Sequence, residues 1–94
     1  MAVIYDTGEI RRAARKIKNC ADNLADSAEP KLSRVRREIP DNFQGKAAEA
    51  LNDRVDDLYK DVQTIGKGLK SLYRALINYA EALEEADREL AEKL

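Results

Sequence analysis

Hydrophobic residues recur at alternating three- and four-residue steps through the second half of the chain, from Ala48 to Leu90. The positions between them are mostly Asp, Glu, Lys and Arg. Such a 3.5-residue repeat is typical of a helix that packs against partner helices in a left-handed supercoil. The pattern predicts one long helix. The apolar side of this helix, called the seam, is expected to pack within a hairpin or a dimer and contains Leu58, Ile65, Leu69, Leu72, Leu76 and Tyr79.

The first half carries a similar pattern with one irregularity. Asp6 followed by Glu9 resembles a capping box, which predicts that a helix begins there. The apolar repeat is broken by an irregular four-residue step between residues 28 and 32, and Pro30 lies inside this step. Because proline removes a backbone hydrogen bond, we expect a kink at this point.

A short turn is predicted between the two helices. The residue before Pro40 disfavours the α conformation, so helix one is expected to end there. Asp41 is expected to cap the second helix. Phe43, the only Phe in a chain without Trp, is expected to cover the closed end of a hairpin. Gly45 is expected to let the two backbones approach closely.

These patterns together predict an all-α fold, an antiparallel two-helix hairpin that forms a single domain over residues 1–94. The expected bounds are about 6–39 for helix one, 40–45 for the turn and 46–92 for helix two. Tyr59, Gly66, Tyr73 and Ala80 form a second stripe beside the seam of helix two. Because a chain of this length buries a modest part of its surface, the stripe favours dimerisation into a four-helix bundle.

Folding the chain about residue 43 places residue i opposite roughly residue 86−i. Residues 81–94 then extend past helix one, with only residues 3–5 to lie beside them. This tail carries six acidic and two basic side chains, and helix one carries a basic cluster between Arg11 and Lys18. An acidic, partly apolar helix end of this kind suggests a surface that a partner recognises.

The composition argues against a catalytic or metal-binding site in this chain. It has no His and one cysteine, Cys20, and its adjacent carboxylates point apart on a helix, so no catalytic residues, metal ligands or cofactor are expected. The formal net charge of −1 disfavours nucleic-acid binding, and the basic run RRAARKIK is interpreted as a solvated helix face. The glycines of IGKGLK follow no predicted strand, so they do not indicate a phosphate-binding loop or a small-molecule substrate.

No segment resembles a signal peptide, and no apolar run approaches the ~20 residues of a membrane span. We therefore expect a protein made in the cytoplasm. If it leaves the cell, the general secretory route is not expected.

The chain resembles the WXG family of small, ESAT-like type VII secretion substrates. The resemblance covers nearly the whole chain, with Phe43-Gln44-Gly45 in the place of the aromatic-x-Gly turn and Phe where the family has Trp. The tail has a hydrophobic residue, an acid four positions later, and further hydrophobic residues: Leu83, Asp87, Leu90 and Leu94. The stricter Tyr-xxx-Asp/Glu motif is absent, since Leu83 follows four positions after Tyr79.

This resemblance implies a helical hairpin that pairs head-to-tail into a four-helix bundle, as a homodimer or with a related protein. It also implies export without a signal peptide, recognition of the C-terminal tail by a membrane ATPase, and no enzymatic activity. Three readings stay open: a secreted substrate, a heterodimeric targeting partner of a larger toxin, and a non-secreted structural bundle protein. The turn residues are equally consistent with an ordinary hairpin, and the tail residues with a continued seam.

Overall fold

The computed structural model describes residues 6–94. Helix one consists of α1 (Thr7–Asn23), a π-helical segment (Leu24–Ala28) and α2 (Glu29–Asn42), and helix two is α3 (Lys46–Lys93). The two helices pack along each other as an antiparallel hairpin measuring 74 × 17 × 13 Å. This all-α hairpin is the architecture that the heptad pattern predicts.

Helix one begins at the predicted cap. The irregular step in its apolar repeat is accommodated by a π-helical turn. Asp6 is the N-cap, and its carboxylate accepts a hydrogen bond of 3.1 Å from the backbone N–H of Glu9. A π turn holds one extra residue, so the apolar positions after it stay on the same side of the helix. Pro30 lies in the first turn of α2, and the interruption expected at it falls in the π-helical segment just before.

Helix one does not end before Pro40, as the sequence had indicated, but continues to Asn42. Ile39 is only 5% exposed, and its burial offsets the poor α preference of a residue before proline. Two carbonyl groups in the last turn of helix one accept hydrogen bonds. The Asn42 side-chain amide donates to Glu38 O at 2.8 Å, and Phe43 N–H donates to Ile39 O at 2.9 Å. Asp41 therefore lies inside helix one and does not cap α3.

The link between the helices is extended. Phe43 has β-region dihedral angles, and Gly45, at φ 100°, is the N-cap of α3 without a side-chain hydrogen bond. A φ of this sign favours glycine, which explains the residue type. No atom lies within 4 Å of the position a Cβ would take at Gly45, so the close backbone approach expected there is wrong.

The extended link moves the two helices out of the register expected from a tight fold-back. Arg11 contacts Glu84 and Arg36 contacts Asp56, whereas the rule of residue i opposite 86−i places residues 75 and 50 there. A three-residue link can advance the chain by up to about 10 Å, equal to about seven residues of helical rise, before α3 begins. Residues 81–88 of α3 therefore lie beside α1, whereas residues 81–94 had been expected to extend past helix one.

Small residues fill the interface between the two helices. Ala14, Ala21 and Ala80 are almost completely buried, and Ile39 and Val55 are also buried. The stripe assigned to a position beside the seam faces helix one instead: Tyr59 and Tyr73 are half-buried, and Gly66 and Ala80 are buried. The side of α3 that packs in the hairpin consists of this stripe and every second heptad position: Val55, Val62, Leu69, Leu76 and Leu83.

Candidate interaction surfaces

One stripe of large apolar side chains on α3 faces solvent. Its members follow one another at seven-residue spacing, and each is between 47% and 54% exposed. We call this stripe the ridge; it consists of Leu51, Leu58, Ile65, Leu72 and Tyr79. Four predicted seam residues thus lie outside the hairpin interface, whereas Leu69 and Leu76 are half-buried within it. Repeated exposed apolar residues on one helix face are typical of a surface that binds another protein.

Helix one carries a matching row of smaller side chains. We call this row the strip; its members are exposed and follow at steps of seven, seven and eight: Ala13, Cys20, Ser27 and Val35. The eight-residue step begins at Ser27 inside the π-helical segment, whose extra residue keeps Val35 in line with the others.

The ridge and the strip lie on the same face of the hairpin. The Arg11–Glu84 and Arg36–Asp56 ion pairs lie along one edge of the helix interface. Residues two positions apart on an α-helix point about 200° apart, because each residue turns the helix by about 100°. Ala13 follows Arg11 and Leu58 follows Asp56 by two positions, so both point away from the ion-paired edge. The opposite face therefore combines large side chains from α3 with small ones from helix one.

The ion pair between Arg11 and Glu84 joins the two helices near the open end. Arg11 donates through Nη2 to Glu84 Oε1 at 2.5 Å and through Nε to Oε2 at 3.4 Å. The hydrogen bond from Arg11 is the main cause that lowers the pKa of Glu84, and the Thr7 hydroxyl also lowers it. The same contact raises the pKa of Arg11.

A second charged cluster joins the helices near the closed end. Arg36 Nη2 lies 2.9 Å from Asp56 Oδ1, and Lys60 Nζ lies 3.0 Å from Asp56 Oδ2. The hydrogen bond from Lys60 lowers the pKa of Asp56, and the attraction of Arg36 adds to this effect. Arg36 also stacks over the ring of Tyr59 at 4.6 Å from its centroid. With Arg11 and Glu84, these contacts fix the register of the hairpin.

Phe43 does not cover the closed end of the hairpin and is 60% exposed. The expectation of a buried plug is wrong, because α3 begins beyond the end of α2 and the two helices do not close around the ring. Phe43 instead lines an open cleft of about 350 Å³ together with Ile39 and Ala48. Asn52 also borders the cleft, and its buried Oδ1 has no hydrogen-bond partner in the described chain.

A second hollow, of about 240 Å³, lies beside the π-helical segment. It is bordered by Ala21, Ala25, Gly66 and Lys70, among others. No atom lies within 4 Å of a Cβ built at Gly66 or at Gly68. Helix one of the same hairpin therefore makes no close contact at these two glycines.

The four residues predicted as the tail signal differ in how deeply they are buried in the hairpin. Leu83 and Asp87 are half-buried, since α1 still runs beside this part of α3. Leu90 is 42% exposed, and Leu94, the C-cap of α3, is 95% exposed. A partner that reads this end therefore has free access to Leu90 and Leu94.

Within residues 6–94, no group of acidic or cysteine side chains is arranged to hold a metal ion. Cys20 is an exposed free thiol in the strip. None of the described helices contains a stretch long and apolar enough to cross a membrane.

Comparison with known families decides the relationship. The family WXG100, described as "Proteins of 100 residues with WXG", matches residues 3–88. The chain belongs to the WXG100 family. No curated protein and no solved structure matches the chain significantly. WXG100 proteins are small, helical and non-enzymatic, are known as substrates of type VII secretion systems, and typically dimerise with small helical partners.

Sequence reasoning missed the strip and the two ion-paired contacts of this WXG100 hairpin. The strip consists mainly of small residues, which give no hydrophobic signal, and its spacing is broken by the π-helical turn. Arg11 and Glu84 are 73 positions apart, and Arg36 and Asp56 are 20 positions apart. Which residues meet depends on the register of the two helices, and the shape of the link sets that register. The seven-residue spacing of Ala13, Cys20 and Ser27 was the available signal for the strip.

Proposed function

We propose that this protein is itself exported by a type VII secretion system and acts through protein–protein contacts, without enzymatic activity, cofactor, metal or nucleic acid. Family membership supports the export route. The observation that carries the proposal is the ridge, five half-exposed apolar side chains on one face of a single hairpin. A surface of this kind is costly in water and is stabilised when a partner helix covers it.

The export signal that we propose is the C-terminal tail, Leu83, Asp87, Leu90 and Leu94, recognised by the ATPase of the secretion machine. The free access to Leu90 and Leu94 supports this proposal, since these side chains do little for the fold. Leu83 is half-buried, so a substitution there would also weaken the hairpin. Asp87→Asn keeps the size of its half-buried side chain, and Leu94 is almost fully exposed, so the sharper test changes these two residues.

The test measures the protein in the culture medium of cells with a working type VII system. The double variant Asp87→Asn with Leu94→Ala is expected to stay in the cell, while circular dichroism of the purified protein shows an unchanged helix content. Glu92→Gln, which removes one negative charge from the same tail, is the control and is expected to be exported. Export of the double variant at the wild-type level would show that these residues are not the signal. Retention of the wild type itself would contradict export.

The turn residues Phe43 and Gly45 are the second part of the site that we propose. Exposure of the Phe43 ring beside an open cleft supports a contact with a partner at the closed end. Phe43→Ala is expected to reduce partner binding or export without unfolding the hairpin. A variant that is exported and paired like the wild type would leave Phe43 with no role in recognition.

The second candidate function is that of a targeting partner for the helical domain of a larger toxin. The same uncovered ridge favours it, because an unlike chain could also cover these side chains. Size-exclusion chromatography with light scattering separates the two cases. A stable homodimer of the purified protein contradicts an obligate heteropartner, whereas a monomer that aggregates supports one.

A further inference from the structure

The hollow beside the π-helical segment is an unfilled space between the two helices. It has a volume of about 240 Å³, and three of the residues that line it are small: Ala21, Ala25 and Gly66. Gly66 is buried, yet no atom lies within 4 Å of the position of a Cβ built on it. The hollow therefore has room for a further side chain. Because these three residues have no polar side-chain atoms, an apolar side chain suits the space.

The hollow lies on the ion-paired side of the hairpin. Gln63 and Lys70 border it, and they follow Asp56 at steps of seven residues. Two further steps of seven lead to Glu84. Residues at this spacing share one side of a helix that packs in a hairpin. The hollow therefore lies between the two ion pairs that join the helices, on the face opposite the ridge.

Four exposed cations lie around the hollow. Lys67 and Lys70 border it, and Arg74 lies one turn further along α3 toward the open end. On helix one, Lys18 lies one turn from Ala21 in the same direction. None of the ion pairs formed within residues 6–94 includes any of these four cations. We call this group the basic face; it consists of Lys18, Lys67, Lys70 and Arg74.

Two acidic side chains of helix one lie beside the basic face. Glu29 borders the hollow, and Asp22 lies one turn after Lys18; both are half-buried. Duplex nucleic acid and an anionic membrane carry negative charge throughout, so these carboxylates would repel them. A protein can place acids on the lysines and neutral or basic side chains on the two carboxylates. The charges therefore favour a protein partner with a patterned acidic surface.

The exposed apolar side chains favour the same choice. Within residues 6–94, the large ones lie on the ridge, in the strip, at the closed end and at the C-terminal end, and not on the basic face. Single-stranded nucleic acids stack on aromatic side chains, and helices that lie on membranes insert large apolar ones. The basic face presents neither feature to such ligands.

The spacing of the cations matches a helix. Lys67, Lys70 and Arg74 follow one another at steps of three and four residues along the groove between α3 and helix one. A helix that lies in this groove can present carboxylates at the same steps.

We propose that the basic face binds an acidic helix of a partner protein, which places carboxylates on Lys67, Lys70 and Arg74 and one apolar side chain in the hollow. This site goes beyond the proposed function, because it lies apart from the ridge and from the tail. Since the ridge lies on the opposite face, the site stays accessible while another chain covers the ridge.

A synthetic peptide tests the match between the site and its ligand. The probe is an Ala-rich helical peptide in which one Leu lies between Glu residues on a single side. A comparison peptide has the same composition, with the Glu residues distributed around the helix. Fluorescence anisotropy of the labelled peptides is expected to show binding of the probe at least roughly tenfold tighter than that of the comparison peptide. Equal binding, or no binding of the probe, overturns the proposal.

Neutral variants test the charges of the basic face. Lys67→Gln with Lys70→Gln is expected to bind the probe at least roughly tenfold more weakly than the wild type. The control, Lys16→Gln with Arg37→Gln, removes the same charge from two exposed positions. Each control residue is two positions from a residue buried between the helices, so it points away from α3. Equal weakening by both variants would show attraction by net charge alone and would overturn the proposal.

Filling the hollow tests the apolar contact without a change of charge. Gly66→Leu is expected to weaken binding of the probe, while circular dichroism shows an unchanged helix content. Gly68→Leu is the matched control, because Gly68 is exposed and also has no atom within 4 Å of a built Cβ. It is expected to bind the probe like the wild type. A folded Gly66→Leu variant that binds as tightly as the wild type overturns the proposal; if this variant loses helix content, the lysine variants decide.

Duplex DNA and phosphatidylserine vesicles test the other classes of anionic ligand. Neither is expected to bind more tightly than the probe. Tighter binding of either one, lost in the variant Lys67→Gln with Lys70→Gln, would overturn a protein partner at this face. None of these variants changes the ridge or the tail, so a failure here leaves the export proposal standing.

Discussion

The guanidinium of Arg11 and the carboxylate of Glu84, 73 residues apart in sequence, make a two-point contact that ties the first turns of α1 to the last third of α3. Arg36 and Asp56 make the equivalent contact near the other end. Apolar heptads alone tolerate sliding by one repeat, whereas two such ion pairs are made together in a single register. We infer that these charges specify the alignment of the hairpin more than they add to its stability.

The first prediction concerns pH. Pairing with Arg11 lowers the pKa of Glu84 in the folded hairpin below its ordinary value of 4.5. The pair therefore stabilises the fold above that value, and its contribution is lost as the pH falls through the lowered pKa. Glu84→Gln is expected to lower the melting temperature slightly near neutral pH, and this difference from the wild type is expected to vanish well below pH 4.5. Thermal unfolding followed by circular dichroism at a series of pH values measures it.

Glu85 provides the control for this prediction. Its carboxylate accepts a hydrogen bond from Arg88 at 2.7 Å within the same helix, so it does not join α3 to α1. Glu85→Gln is expected to leave hairpin stability almost unchanged. An effect as large as that of Glu84→Gln would argue against a special role for the contact between helices.

The second prediction concerns the close approach of the helices near Ala80. Ala80 has no exposed surface, so a larger side chain has no room without separating the helices. Ala80→Leu is expected to lower the free energy of unfolding by about 1–3 kcal/mol. Ala50→Leu, at an exposed position of the same helix, is expected to have little effect. Urea unfolding compares them, and equal stability of the two variants would show that the interface is loosely packed at Ala80.

The third prediction separates the ridge from the hairpin interface. Leu72 belongs to the ridge, whereas Leu69 is half-buried between the helices. Leu72→Gln is expected to abolish self-association while the unfolding free energy of the monomer changes by less than about 0.5 kcal/mol. Leu69→Gln is expected to cost the hairpin about 2 kcal/mol or more. Sedimentation velocity and urea unfolding give the two readouts; a Leu72→Gln variant that still dimerises would remove the ridge from the interface.

The fourth prediction concerns the closed end. Phe43 is mostly exposed, so Phe43→Ala is expected to change the free energy of unfolding by less than about 1 kcal/mol. Ile39, four residues earlier, is buried, and Ile39→Ala is expected to cost about 2–5 kcal/mol. Urea unfolding of both variants tests the contrast. A large loss for Phe43→Ala would mean that the ring packs against the helices in solution.

The sequence allowed prediction of the helices and the antiparallel hairpin, because a long heptad pattern and a short polar link leave few other folds. It did not show which stripe of α3 faces its own helix one. Leu58 and Leu72 are as apolar as Leu69, and periodicity alone cannot separate neighbouring stripes on one helix. The small size of Ala80 was the deciding property, because helix one can approach closely only where side chains are short.

The register and the turn were missed for a different reason. A glycine at position 45 and a proline at position 40 both indicate a break, but neither shows how far the chain travels before the next helix begins. The conformation of the link, with an extended Phe43 and a positive φ at Gly45, shifts the pairing of the helices by several positions. Local sequence does not encode that distance, so the length of the free tail could not be predicted from it.

The extended link also shapes the ends of the molecule. Because α3 begins beyond the end of α2, the rod tapers at its closed tip from two helices to one. A single helix with its side chains is only about 10–12 Å thick. If a hairpin enters a narrow opening with this tip first, the single helix enters before the wider part in which two helices are packed.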